Sequence, residues 1–288
     1  MRPDNLTTKI FLDGGDPAET RAVIERLGFL DGQTTNPTLI AKNPEAQKRL
    51  ARGEKFSEIE IYDFYKSVVQ EMSALIPRGS ISVEVYAERS TNVEQMFNNC
   101  KQMFDWIPNA HIKFPITAAG LEASERATAE DIRVNMTLCF SQQQAAAVHC
   151  ATRMSKKGGV FVSPFVGRLD DIGENGMDLI KNILAMYREQ QSHVEILSAS
   201  IRSIDHFLAS LFYGADIITA PSTILLEWAD QGMPIPAKDY VYDTKNLAPI
   251  LYRQISLDSD WRVLDISHPL TDKGIERFAA DWNALIKA

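Results

Sequence analysis

The chain alternates, and the alternation constrains its fold more than any other feature. Eight short runs rich in β-branched and aromatic residues are separated by segments with apolar residues at helical spacing. The runs are Lys9–Asp13, Gly32–Thr35, Ser80–Tyr86, Ala110–Pro115, Ile132–Cys139, Gly159–Pro164, Val194–Ser200 and Asp216–Thr219. Helical patterns fall at Pro17–Leu27 and within Pro44–Ile76, which is long enough for more than one helix. They recur at Asn92–Met103, Ala118–Thr128, Gln142–Ser155, Gly176–Gln191 and Ser203–Tyr213, and again after Pro221. Asp16 ahead of Pro17 reads as a helix cap with proline in the first turn. Eight strands each followed by helix predict an α/β fold, a closed (β/α)8 TIM barrel. A doubly wound sheet usually has fewer strands and often carries a glycine-rich loop after the first. Asp13-Gly14-Gly15-Asp16 does not match that loop.

A length of 288 residues is ordinary for one such barrel. We expect 1–288 to form a single barrel domain, with 243–288 a C-terminal helical extension packed on it. Within that tail Ile275, Phe278, Trp282 and Leu285 recur at a spacing that buries one helix face.

The formal net charge of −8 argues against nucleic acid and anionic membranes as partners, but not against a small phosphate that needs only local cations. No apolar run is long enough to span a membrane, and the N-terminus lacks the apolar stretch of a signal peptide, so a cytoplasmic location is the default. Three cysteines without metal spacing fit a reducing compartment. The five histidines, His111, His149, His193, His206 and His268, form no metal pattern and are expected to be structural or at the surface. No metal and no cofactor are expected, and a homo-oligomer is left open.

In a parallel barrel the reactive groups sit at the C-terminal strand ends. The polar residues there are Asp13 on the first run, Thr34, Thr35 and Asn36 on the second, and Glu84 on the third. Lys113 is on the fourth, Asn135 and Thr137 on the fifth, two apart and so on one face. Ser163 ends the sixth run, followed by Phe165 and Arg168; Ser200 ends the seventh, followed by Arg202. A buried lysine is driven toward its neutral amine, which can attack a carbonyl, but Lys113 could equally form a structural ion pair with Glu84 or Asp13. Those carboxylates could serve as acid and base, or cap loops. Arg168 and Arg202 could hold a phosphate bidentately, or form surface salt bridges.

Taken together the strand-end segments resemble the transaldolase family. They are FLDGG at 11–15, DGQTTNPTLIAK at 31–42, ISVEVYAE at 81–88, HIKFPITAAGL at 111–121, RVNMTLCFSQQQA at 133–145, VSPFVGRLDDI at 162–172 and SASIRS at 198–203. DKGIERFAADW at 272–282 also looks family-like. The resemblance implies a Schiff base on Lys113 with a ketose phosphate. It implies that Asp13 moves the C4 hydroxyl proton, and that Glu84 works with a water positioned by Thr137. It places the three-carbon unit on Asn36, Asn135 and Ser163 with Thr35 alongside, and the phosphate on Arg168, Arg202 and Ser200. The implied activity is transfer of dihydroxyacetone from sedoheptulose 7-phosphate or fructose 6-phosphate to an aldose phosphate, in the pentose phosphate pathway. Sugar phosphates are the implied partners. Phe165 stands where the hydrolytic relatives, the fructose-6-phosphate aldolases, typically carry tyrosine, and this favours transfer over release. Gly14, Thr38 and Ile201 depart from common family residues without removing a catalytic group. A lyase releasing free dihydroxyacetone, a non-catalytic sugar-phosphate sensor on the same barrel and an unusual anionic ketose donor are the competing readings.

Overall fold

The structure, a computed structural model, describes residues 2–244 and 246–287. Eight parallel strands form a barrel in which each strand pairs with the next in sequence and the eighth returns to the first. They are β1 (Lys9–Asp13), β2 (Gly32–Thr34), β3 (Ser80–Glu84), β4 (Ala110–Pro115), β5 (Val134–Cys139), β6 (Val160–Pro164), β7 (Glu195–Ser198) and β8 (Ile217–Ala220). Because helices cover the outside and side chains fill the inside, a parallel strand is buried on both faces. β4 and β5 are accordingly buried along their whole length.

The helices are α1 (Pro17–Leu27), α2 (Pro37–Ala41), α3 (Pro44–Ala51), α4 (Glu58–Leu75), α5 (Val93–Phe104) and α6 (Ala118–Ala129). They continue with α7 (Gln142–Ala151), α8 (Val166–Asp170), α9 (Gly176–Glu189), α10 (Ile204–Tyr213), α11 (Ser222–Asp230) and α12 (Pro269–Asn283). Their starts follow from local chemistry. The Asp16 side chain accepts from Ala18 N ahead of Pro17, and Ser57 with Glu60, and Asn92 with Gln95, form reciprocal capping boxes. Among the described residues no helix is long and apolar enough to cross a membrane.

The lower half of the barrel is closed by side chains. His111 stacks on Phe161 at 4.0 Å between ring centres, Phe161 meets Phe11 edge-on at 6.2 Å, and Lys9 pairs with Glu195 at 3.1 Å. The open end is therefore the C-terminal one.

The tail departs from the expected helical extension. Of 243–288, only Pro269–Asn283 is an α-helix, with one 3-10 turn at Trp261–Val263; Lys245 and Ala288 lie outside the described residues. The reason is visible in the hydrogen bonds. Gln142 donates to Arg253 O and accepts from Arg253 N, and Gln190 does the same with Ile255 O and Leu257 N. Two amide side chains thus satisfy backbone groups that a helix would pair internally. Asp258-Ser259-Asp260 supplies turn chemistry beyond them. In α12 the predicted face is buried: Ile275, Phe278 and Trp282, with Leu285 just past its end. Two short helices, α2 and α8, of five residues each, are too short for apolar spacing to repeat, and the sequence pattern does not show them.

Candidate active site

Alternation along the strands decides what faces the mouth. Glu84 lies beside Lys113 in the β3–β4 register, and Lys113 beside Asn135 in the β4–β5 register. Lys113 Nζ lies 2.8 Å from Glu84 Oε2 and donates to Thr35 O, also at 2.8 Å, with both charged side chains 4 % exposed. Asn135 donates to Ser82 Oγ and accepts from Ser163 Oγ, so its amide cannot rotate without breaking two bonds. Thr137 Oγ1 is buried and has no hydrogen-bond partner among the described residues, a cost that a ligand atom would relieve.

Asp13 stands at the edge of the mouth, where Thr34 donates to its Oδ1 at 2.7 Å. Thr34 Oγ1 also lies 2.6 Å from Thr219 Oγ1, so with Asp13 ionised Thr219 is the donor of that second bond. Burial raises the Asp13 pKa above its ordinary value, opposed by the charge of Lys113 and the bond from Thr34. Burial likewise raises Glu84, opposed by Lys113. Both carboxyls therefore hold protons more tightly than exposed ones.

The rim is cationic. The Arg168 guanidinium lies 5.0 Å from the centre of the Phe165 ring and 5.5 Å from that of Phe278 on α12. Burial and then the charge of Arg277 pull its pKa below the ordinary value, a load that an anion would lift. Arg202 pairs with Asp171 at 2.8 Å on the solvent side. Ser200 sits in the left-handed region at φ 58°, a strained conformation for a non-glycine residue. The resulting cavity holds about 250 Å³ and is lined by Asp13, Asn36, Lys113, Thr137, Ser163, Phe165, Arg168, Ser200 and Arg202. Glu84 and Asn135 form its floor through their contacts with Lys113 and Ser163. A larger cavity of about 480 Å³ lies outside the closed layer at the opposite end, with Lys9, Arg78, His111 and Phe161 in its lining. There Lys9 is paired with Glu195, and His111 with Ser80 and Gly158 O. This cavity lies at the N-terminal strand ends, away from the end where a parallel barrel carries its reactive groups, so the chemistry belongs to the smaller one.

Of the residues expected to converge, Thr35 alone turns its side chain away. Its hydroxyl donates to Ser82 O and bonds Tyr65 OH on the helix side of the sheet, and only its carbonyl reaches Lys113. Thr34 takes the inward place. Asn36 lines the mouth while its Oδ1 caps α2 by accepting from Leu39 N. Lys42, Arg277, Phe278 and Thr219 also line the cavity and went unread. Strict alternation along β2 and β8 selects Thr34 over Thr35 and adds Thr219. Nothing in the sequence announces that α12 folds back across the mouth.

A buried amine beside a carboxylate, a second carboxylate at hydroxyl distance from a threonine, and a cationic rim can bind an anionic carbonyl compound and move its protons. The comparisons agree on the class. Residues 10–288 match the family model described as Transaldolase/Fructose-6-phosphate aldolase. The chain belongs to that family and is an aldolase- or transaldolase-type enzyme. It is 36 % identical over 279 residues to a protein of Dehalococcoides mccartyi named "Probable transaldolase", covering 97 % of this chain and all of the other. Proteins of the same name from Brucella ovis and Roseiflexus are 35 % and 34 % identical. They cover 95 % and 96 % of this chain, and 96 % and 97 % of their own.

Proposed function

We propose that the protein is a transaldolase acting through a Schiff base on Lys113. The observation that carries this reading is the placement of Lys113 Nζ, buried and 2.8 Å from the oxygen of a carboxylate whose proton affinity burial has raised. Glu84 takes the ammonium proton, and the neutral amine attacks C2 of the ketose phosphate. The carbinolamine hydroxyl leaves as water with a proton returned from Glu84, the orphan hydroxyl of Thr137 holding the water that relays it. Asp13 then removes the C4 hydroxyl proton. The C3–C4 bond breaks, its electron pair passes to the imine nitrogen, and an aldose phosphate departs. The enamine left on Lys113 attacks the aldehyde carbon of an acceptor aldose phosphate, and Asp13 returns its proton to the new hydroxyl. Hydrolysis of the imine releases the product ketose.

Asn36, Asn135 and Ser163 stand where the three-carbon unit would lie, and Arg168 and Arg202 where the phosphate would lie. Fructose 6-phosphate and sedoheptulose 7-phosphate as donors, with erythrose 4-phosphate and glyceraldehyde 3-phosphate as acceptors, would suit a rim with two arginines for one phosphate, and the reaction would then belong to the pentose phosphate pathway. Phe165 packs edge-on against Phe140 at 5.8 Å and under Arg168, presenting no hydroxyl to activate water near the enamine, which favours transfer over lysis.

The test is borohydride trapping with fructose 6-phosphate and no acceptor. A reduced three-carbon adduct on Lys113 by peptide mass is expected, and adding erythrose 4-phosphate before reduction should yield sedoheptulose 7-phosphate. No adduct in folded protein would overturn the Schiff base. An adduct accompanied by stoichiometric free dihydroxyacetone in every turnover would instead favour the lyase.

A further inference from the structure

His206 does not sit at the surface. It lies in the first turn of α10, 5 % exposed, and its ring bridges two other elements of the mouth. Arg202 N donates to its Nδ1 at 3.3 Å, and its Nε2 lies 2.8 Å from Asp170 Oδ2. A backbone amide can only donate, so Nδ1 carries no proton. The ring proton is then on Nε2 and is donated to Asp170.

Asp170 is two residues beyond Arg168 on the five-residue α8, and its other oxygen accepts from Gly176 N at the start of α9. One hydrogen-bond path therefore runs from the helix that carries Arg168, through Asp170 and His206, to the backbone of Arg202. The two segments also touch directly. Gly167 N donates to Ser200 O, and a β-carbon on Gly167 would lie 2.4 Å from both Ser200 O and Arg202 Cγ. Left alone, the loop 199–202 would have to hold the left-handed Ser200 by itself.

We propose that His206 is a positioning residue that fixes Arg202 relative to Arg168, so that both guanidiniums meet a single substrate phosphate. This rests on reading the rim as the phosphate site. Its energetic role is preorganisation: a loop already set need not be ordered by the substrate.

The experiment compares fructose 6-phosphate with unphosphorylated fructose as donors. His206→Ala should raise KM for fructose 6-phosphate about tenfold, the scale of one well-made hydrogen bond, with kcat within about twofold. Its kcat/KM for fructose should stay within about twofold. His206→Asn, whose Oδ1 can accept from Arg202 N, should recover most of the low KM. His206→Gln, which reaches Asp170 but not Arg202 N, should not, and this pair carries the comparison even if the alanine variant fails to fold. With Arg202→Ala as the second change, the KM increases should not multiply, because His206 acts through Arg202.

Equal losses on both sugars, or multiplying increases, would make His206 a general structural residue and overturn the proposal. If Arg202→Ala alone leaves KM for fructose 6-phosphate unchanged, it is the phosphate reading that fails. If Arg202→Ala raises KM and no His206 variant does, only the positioning role fails.

Discussion

Gly274 of α12 packs so closely on Arg168 that a β-carbon added there would lie 2.8 Å from the guanidinium Nη1 and 2.6 Å from Leu138 Cδ2. The last helix and the cationic rim are thus fitted to one another at the scale of a methyl group. In an ordinary helix, replacing glycine by alanine gains about 1 kcal/mol. Here overpacking costs about 1–3 kcal/mol and falls on Leu138 and Arg168 together. Gly274→Ala should raise KM for ketose phosphates several-fold, with Tm unchanged or lower. Steady-state kinetics and a melting curve test this, and an unchanged KM with a higher Tm would show that Arg168 has room to move.

Removing Lys113 leaves Glu84 buried without its cation. An uncompensated buried charge costs about 3–5 kcal/mol, but a carboxyl can escape by taking a proton. Lys113→Met should therefore abolish turnover and destabilise the protein more at pH 8 than at pH 5. Glu84→Gln added to it should remove the pH difference. Urea denaturation of the three proteins at both pH values decides, and a penalty independent of pH would mean that Glu84 finds another partner.

Asp13 must be ionised to accept the C4 hydroxyl proton, and its pKa is raised by burial. As pH falls through that raised value the base is lost, so the acid limb of the kcat profile should lie above the ordinary aspartate range. Thr34 donates to the charged form and lowers the pKa. Thr34→Val should consequently move the limb to higher pH while leaving the alkaline side in place. A limb that stays where it was would assign the ionisation to another group.

His111 is buried at the closed end, where burial pushes its pKa down from 6.5 to about 3. Unfolded chains bind a proton here below pH 6.5 and the folded protein does not. The unfolded state then binds more protons, so stability rises with pH across this window and is lost as pH falls toward 3. At about 1.4 kcal/mol per unit, the loss amounts to a few kcal/mol. His111→Gln should be less stable at pH 7 yet flatten the decline between pH 6.5 and 4.5, measured by chemical denaturation at each pH.

The barrel was legible because period-two and period-3.6 patterns alternate eight times, and β1, β4 and α1 begin and end where those patterns predict. The strand-end rule then brought Asp13, Glu84, Lys113, Asn135, Thr137 and Ser163 to one mouth. Two adjacent threonines at a strand end look equivalent in the sequence, but the pleat sends Thr34 inward and Thr35 toward Tyr65. Arg277 and Phe278 were unreadable for another reason. Amphipathic spacing shows which face of α12 is buried, not what it is buried against. The irregular stretch before it is set by Gln142 and Gln190, whose partners lie more than sixty residues away. His206 is structural, one of the two places expected for the histidines, but a lone histidine in a helix carries no pattern that shows what it braces.

α12 follows all eight strands in the chain, so during synthesis the strands emerge before the helix that backs the rim. A nascent chain that has emerged only through β8 would hold the lysine and both carboxylates but lack Phe278 under Arg168 and Gly274 against Leu138. The amine and Arg168 would then precede the helix that packs against the guanidinium, and the arrival of that helix completes the wall of the mouth.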